Sequence, residues 1–303
     1  MDVVTARCEI AATSAAMTVR SRERPFVKLG IFNMGTGISD PGSLRTIAEA
    51  AEASGLESLW CGEHVVLPKP RVAPSPADPE HHFLHPSVVL GYLAACTETL
   101  QLGTGIVLIA QRNPLVLAKE FASVDVVSGG RAILGIGAGY LQPEFDAIGA
   151  PFRERGRRTD EAIDAMRALW NEEDPSFDGQ FWQFSGIDAH PRPTSPAGVP
   201  IHIGGHSEAA LKRAAERGQG WYGWMQDPEQ TADYVRRLHE LSEQVGRPEA
   251  MGELEITITP PARLTSEAIE QYEEAGAHRL VSLATPTERS MLHGVEHMGS
   301  LAG

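Results

Sequence analysis

The sequence predicts an α/β protein built as a single (β/α)8 barrel, the TIM-barrel architecture, with loop insertions. Short apolar runs alternate with amphipathic helical patterns from residue 27 almost to the C-terminus. About eight such strand–helix pairs fit in roughly 250 residues, the size of one barrel. No linker divides the chain, so residues 27–303 read as one domain.

The unit around which the rest is arranged is RNPLVLAKEFASVDVVSGGRAILGIGAGY, residues 112–140. Asn113-Pro114 starts a helix, because Asn caps orphan amides and Pro suits the first turn. Leu117, Phe121 and Val124 follow at helical spacing, and Ser128-Gly129-Gly130 ends the helix. Residues 132–136 form a buried strand, at whose end lie Gly135, Gly137 and Gly139. These glycines read either as a tight turn or as a place where backbone approaches something flat or anionic. The dinucleotide fingerprint fails in detail, since Tyr140 stands near where a third glycine belongs, so a Rossmann domain is not predicted.

Upstream of this unit, residues 27–32 read as the first strand, and Asp40-Pro41 opens a helix whose apolar face is Leu44, Ile47, Ala48 and Ala51. Residues 58–61 form the second strand, followed by Gly62-Glu63-His64 and a long Pro-rich loop over 65–84. A helix follows Pro86, and the third strand falls within 100–108. Downstream, a helix spans 159–170, and FDGQFWQF at 177–184 reads as a hairpin-like insertion. Strands at 200–203, 220–224, 254–258 and 279–283 then alternate with helices at 207–217, after Asp227-Pro228, at 265–275 and at 287–298. Residues 1–26 read as a flexible N-terminal extension with Met17 as an alternative start, since Asp2 stands where a secretory signal would be basic.

Composition narrows the function classes. A chain 42% hydrophobic and 22% charged is ordinary for a globular protein. Its net charge of -14 argues against general nucleic-acid or anionic-membrane binding. Cys8, Cys61 and Cys96 cannot all pair and form no CxxC, which fits a reducing, cytoplasmic setting. No apolar run approaches the ~20 residues of a membrane helix.

In a barrel the active site is built from the loops after the strands. That rule nominates Asn33, Glu63, His64, Gly105, Ile106, Tyr140, Gly204, Gly205, His206, Ser207 and Trp224. His64 either works near neutral pH as donor, acid or base, or packs under the long loop. Glu63 is either solvated or turned inward to fix His64. IHIGGHSE at 201–208 ends a strand in two glycines and caps a helix with Ser207, either an ordinary loop or a ready anion site. Of Trp221, Tyr222 and Trp224, alternation sends one or two toward a cavity. His81, His82 and His85 have no strand-end partners that would complete a metal site, so none is expected.

The segments SLWCGEH, LGTGIVLIAQRNP, SGGRAILGIGAGY and IHIGGHSEAALKRAAERGQGW, in that order, resemble the luciferase-like monooxygenase superfamily. Within it the chain is similar to oxidoreductases that use coenzyme F420. The resemblance runs from about Val27 to Leu283. It implies a deazaflavin or flavin at the strand ends, with His64 close to the ring. It implies a cis peptide bond at Gly105-Ile106, bulging against the ring face. Gly137, Ala138, Gly139 and Tyr140 would border the cofactor, while Gly204, Gly205, His206 and Ser207 would hold its phosphate. Tyr140 stands where sugar-phosphate members carry an acid.

The implied function is an F420-dependent oxidoreductase that moves a hydride between deazaflavin C5 and a small organic substrate. His64, Glu63 and Tyr140 are the candidate catalytic groups, and Lys69, Arg71 and Arg112 are candidate counter-charges for the anionic tail. Two alternatives stand beside it: an FMN-dependent monooxygenase using oxygen and a partner reductase, and a non-catalytic flavin-binding protein. A homodimer is expected from the resemblance, and substrate specificity is expected in the 65–84 loop and the insertion around 175–190.

Overall fold

The computed structural model describes residues 27–302. The expected N-terminal extension and the alternative start at Met17 lie outside the described residues. The fold is a closed parallel barrel of eight strands surrounded by helices. Strand β1 (Lys28–Ile31) lies between β2 (Ser58–Cys61) and the last strand, β11 (Arg279–Ser282). The third stave comes in two segments, β3 (Gln101–Thr104) and β4 (Val107–Leu108). Both pair with β5 (Ala132–Gly137), which closes the barrel. The circuit continues through β8 (Ile201–Gly204), β9 (Gly220–Trp224) and β10 (Glu255–Thr259) back to β11.

Each strand sends alternate side chains to opposite faces. Leu59, Ile136, Ile203 and Ile258 join the layer between barrel and helices. Phe32, Trp60, Ile133, Tyr222 and Val281 fill the interior. The helices begin where chain chemistry demands. The Asn113 side chain accepts the Leu115 amide at 2.9 Å, opening α3 (Pro114–Ser128), and Gly129 ends it at φ +70°. Asp40 caps α1 (Pro41–Ala53), and α2 (Pro86–Ala94) follows with Pro in its first turn. Asp227 and Gln230 form a reciprocal cap on α7 (Pro228–Val245). Helices α8 (Ser266–Glu274) and α9 (Glu288–Ala302) complete the ring.

The N-terminal end of the barrel is plugged by charge. Arg279, 1% exposed, reaches both Glu57 oxygens at 2.8 Å and Glu255 at 2.8 Å, and lies over Trp60. His202 sits in the same layer, with Nε2 3.8 Å from Glu255. This layer occupies the end away from the functional loops, where a barrel spends its residues on stability.

Three features depart from the expected elements. The third strand breaks at Gly105-Ile106, which carries the expected cis peptide bond. A seven-residue helix, α4 (Gln142–Ile148), follows Tyr140 where no helix start was expected. It has no side-chain cap and is too short to show periodicity. Helix α5 (Arg155–Asn171) begins ahead of the expected 159. The insertion is a hairpin of β6 (Phe177–Asp178) and β7 (Gln183–Phe184). Glu161 holds it by accepting the amides of Phe181 and Trp182 at 2.7 and 2.8 Å. Among the described residues, no helix is long and apolar enough to cross a membrane.

Candidate functional site

A cavity of about 490 Å3 opens at the C-terminal ends of the strands. Its walls come from the loops after β1 (Phe32, Asn33, Thr36), β2 (Gly62, Glu63, His64) and β5 (Tyr140). Gly105, Ile106 and Leu108 add the broken third stave, and Gly204, Gly205, His206, Tyr222 and Trp224 add the ends of β8 and β9. The long loop contributes Pro76, Ala77, His81 and Phe83, whereas the hairpin insertion contributes nothing. Glu161 and Arg158 hold the insertion against α5, away from the cavity wall. A shallower hollow of about 600 Å3 between α2 and α3 lies on the outside of the barrel and holds no strand-end residue.

The chemistry of the cavity centres on His64. Its Nδ1 lies 3.1 Å from Glu144 Oε2, and Glu144 is 1% exposed. A carboxylate offers only acceptors, so Nδ1 carries a proton, and in the neutral ring Nε2 keeps its lone pair. The other Glu144 oxygen accepts the Val65 amide at 2.6 Å, which ties the start of the long loop to α4. His64 Nε2 faces the Tyr140 hydroxyl at 3.5 Å, the outer limit of a hydrogen bond. Burial, and then the charge of Glu144, pushes the Tyr140 phenol above its usual range, so it serves as a donor. Phe83 and Tyr140 contact the imidazole edge to face.

Glu63 is arranged differently from its neighbour. Its carboxylate pairs with Arg112 and accepts the Leu108 amide at 2.8 Å. It is turned toward the third stave, and the carboxylate that orients His64 is Glu144. Arg112 is thereby neutralised, Lys69 pairs with Glu80 at 2.6 Å, and Arg71 lies 3.3 Å from Asp78.

Ile106 explains two of the glycines. A Cβ on Gly137 would overlap its Cδ1, and one on Gly204 would lie 2.8 Å from its Cγ2. What approaches this backbone so closely is the side chain of the bulge. A Cβ on Gly105 would stand 2.7 Å from Tyr222 and 2.8 Å from Phe32. Gly137, Ala138 and Gly139 do not line the cavity; Gly139, at φ +82°, packs on Phe145.

At the end of β8, Gly204, Gly205 and His206 line the cavity and Ser207 sits just behind. The Ser207 hydroxyl accepts the Ala210 amide at 3.3 Å and opens α6 (Glu208–Arg217). Among the described residues, the amides of Gly205, His206 and Ser207 have no acceptor. His206 Nε2 accepts the Trp224 amide at 3.2 Å, and burial lowers its pKa. Tyr222 and Trp224 face the cavity, while Trp221 turns outward onto Tyr234. Tyr222 donates to or accepts from Thr259 Oγ1 at 2.6 Å, and burial raises its pKa. Asn33 Nδ2 donates to Ala284 O at 2.7 Å. His82 bonds Ser39, His85 bonds Ser87, and His81 packs on Phe83, so the three loop histidines have separate partners.

Sequence reasoning missed Glu144, Thr36, Phe32, Phe83 and Pro286. Glu144 belongs to the helix that sequence periodicity did not reveal, and the others stand in loops whose path only the fold sets.

Fold and site together define a (β/α)8-barrel protein with a largely apolar cavity at its strand ends. The model of the luciferase-like monooxygenase family matches residues 26–301, and the chain belongs to that family. An uncharacterised protein of Mycobacterium tuberculosis is 29% identical over 238 residues, covering 76% of this chain and 81% of that one. The F420-dependent glucose-6-phosphate dehydrogenase of Kineococcus radiotolerans is 35% identical over 185 residues, covering 60% of this chain and 52% of that protein. Among solved structures, an F420-dependent secondary alcohol dehydrogenase in complex with an F420–acetone adduct overlays with a TM-score of 0.74 at 18% identity, covering 91% and 98% of the two chains. A monooxygenase from Streptomyces bottropensis overlays at 0.71 with 19% identity, covering 90% and 98%. At such identities these overlays speak to the fold.

Proposed function

We propose that this chain is an F420-dependent oxidoreductase acting on a small organic substrate. The observation that carries the reading is the Glu144–His64 pair on the wall of a cavity whose floor is the Ile106 bulge. The names of the F420-dependent relative and structural neighbour support the choice of cofactor.

The residues present fit such a group. Ile106, Leu108, Phe32 and Trp224 offer apolar surface for a planar ring. The open amides of Gly205, His206 and Ser207 at the head of α6 suit its phosphate, as helix N-termini do for anions generally. Thr36, which lines the cavity, has a buried hydroxyl without a partner among the described residues. When bound, the deazaflavin supplies a hydride acceptor or donor. The protein orients the substrate, excludes water and manages the proton. His64 Nε2 takes the substrate's proton in oxidation and returns it in reduction, while Glu144 fixes the ring and balances its charge.

The test is paired titration of the purified protein with F420 and FMN, following tryptophan fluorescence. Saturable F420 binding with weaker FMN binding supports the proposal. The reverse order favours a flavin monooxygenase with a partner reductase, and no binding of either removes the cofactor site.

A further inference from the structure

We infer that the cavity holds a second polar subsite, built by Thr36, Asn33 and His81, which takes a neutral hydroxyl or primary amide at the end of the substrate remote from the reacting carbon. This rests on the hydride-transfer reading above for one point only, that the reacting end lies at His64.

The starting observation is the Thr36 hydroxyl. Thr36 is 8% exposed and lines the cavity, and its Oγ1 has no hydrogen-bond partner among the described residues. A hydroxyl both donates and accepts, and leaving a buried one unpaired is costly, so it marks a place where a ligand supplies the bonds. Its surroundings come from separate loops. The backbone of Thr36 bridges that of Phe83 in the long loop. Next to it, a Cβ on Gly37 would stand 2.7 Å from Pro286 and 3.3 Å from the His81 ring, so these side chains close around the turn. His81 also lines the cavity, and its ring nitrogens make no hydrogen bond among the described residues. Asn33 lines the same end; its Nδ2 donates to Ala284 O, so its Oδ1 remains as an acceptor.

The subsite stands apart from the groups already assigned. Strand β1, which leads into Asn33 and Thr36, lies four staves from β8 in either direction round the barrel. The amides that suit a phosphate are therefore on the opposite side of the mouth. His64 and His81 share one neighbour: Phe83 meets them edge to face, with centroids 5.3 and 5.1 Å away. The two imidazoles thus lie within about 10 Å of each other. A small molecule with two polar ends spans that distance, its apolar middle lying on Phe83.

The donor set selects the ligand group. No Lys or Arg lines the cavity among the described residues. Thr36 Oγ1 and a neutral imidazole each donate and accept, while Asn33 Oδ1 only accepts. A hydroxyl or a primary amide answers all three, whereas an alkyl end answers none of them and an ether leaves Asn33 Oδ1 unpaired.

The experiment compares 1-(4-hydroxymethylphenyl)ethanol with 1-(4-ethylphenyl)ethanol, which differ only in a hydroxyl for a methyl at the tail. Both are titrated by calorimetry into F420-loaded protein and into F420-free protein. We expect the hydroxymethyl probe to bind about 3- to 10-fold more tightly, the effect of one neutral hydrogen bond. Thr36→Val keeps the shape and loses the hydroxyl; it should bring the two dissociation constants within about twofold while leaving that of the ethyl probe unchanged. Thr36→Ser should restore the preference, and His81→Phe should reduce it. Equal or weaker binding of the hydroxymethyl probe overturns the inference, as does a preference that survives Thr36→Val. Equal losses for both probes in Thr36→Val would mark a structural role and overturn it too. So would failure of both probes to bind the unsubstituted protein. Failure of F420 itself to bind falls on the proposed function alone, because titration of the F420-free protein still decides the subsite.

Discussion

Glu144→Gln removes one charge from the buried pair and little else. Glutamine keeps an oxygen for the Val65 amide, so the anchor of the long loop survives. Opposite His64 Nδ1, however, an amide replaces a carboxylate. A hydrogen bond to a charged group contributes about 1.5–3 kcal/mol, against roughly 0.5–1.5 kcal/mol between neutral groups. The difference, about 1–2 kcal/mol, is the preference for the Nδ1-protonated ring and for the imidazolium formed on proton uptake. At 1.36 kcal/mol per decade of rate, kcat falls about 5- to 30-fold. The F420 dissociation constant should stay within about twofold, because Glu144 stands behind the imidazole and does not line the cavity. The assay is steady-state turnover of the F420-loaded protein with a hydride-donating substrate, with tryptophan-quench titration and a melting curve on the same preparation. An unchanged kcat would refute the positioning role. A loss of F420 affinity together with a lower Tm would show that the residue only supports the fold.

Other substitutions separate roles that lie close together. Glu63→Gln should cost about 3–5 kcal/mol of stability, because it leaves Arg112 without its buried partner; a lower urea midpoint with kcat nearly kept is the expected pattern. Gly135→Ala places a Cβ on the carbonyl oxygen of Thr104 and should destabilise by roughly 1–3 kcal/mol or more, read as a lower Tm. Trp224→Phe should remove much of the fluorescence response to F420, since Trp224, 39% exposed, lines the cavity. His202 supplies a pH test. Burial, and then Arg279, lowers its pKa from 6.5 to about 3, so the unfolded chain takes up a proton first as pH falls. Its contribution to stability is whole above pH 6.5 and is lost as pH falls toward about 3, by up to about 1.4 kcal/mol per pH unit for one proton. His202→Gln should flatten urea-unfolding stability between pH 6 and pH 4 relative to the unsubstituted protein.

The sequence by itself determined the elements and their rhythm. Asn113-Pro114, Asp227-Pro228 and Ser207 each carry a start signal in their own chemistry, and each opens a helix. The alternating runs at 58–61 and 220–224 coincide with β2 and β9 because periodicity is local information. Since a barrel places its chemistry after its strands, position alone also put His64, Tyr140, Gly204 and Trp224 at one mouth.

Only the tertiary structure decided what those residues meet. His64 and Glu144 are 80 positions apart, and no spacing rule links them. Glu63 and His64 are adjacent, yet one turns to Arg112 and the other to Glu144. Gly137 was legible as a point of close approach, but that Ile106 makes the approach depends on a bulge in another stave. Local pattern records which face a side chain takes. The partner across the barrel is chosen by closure of the sheet, which brings the ends of distant strands together around one cavity.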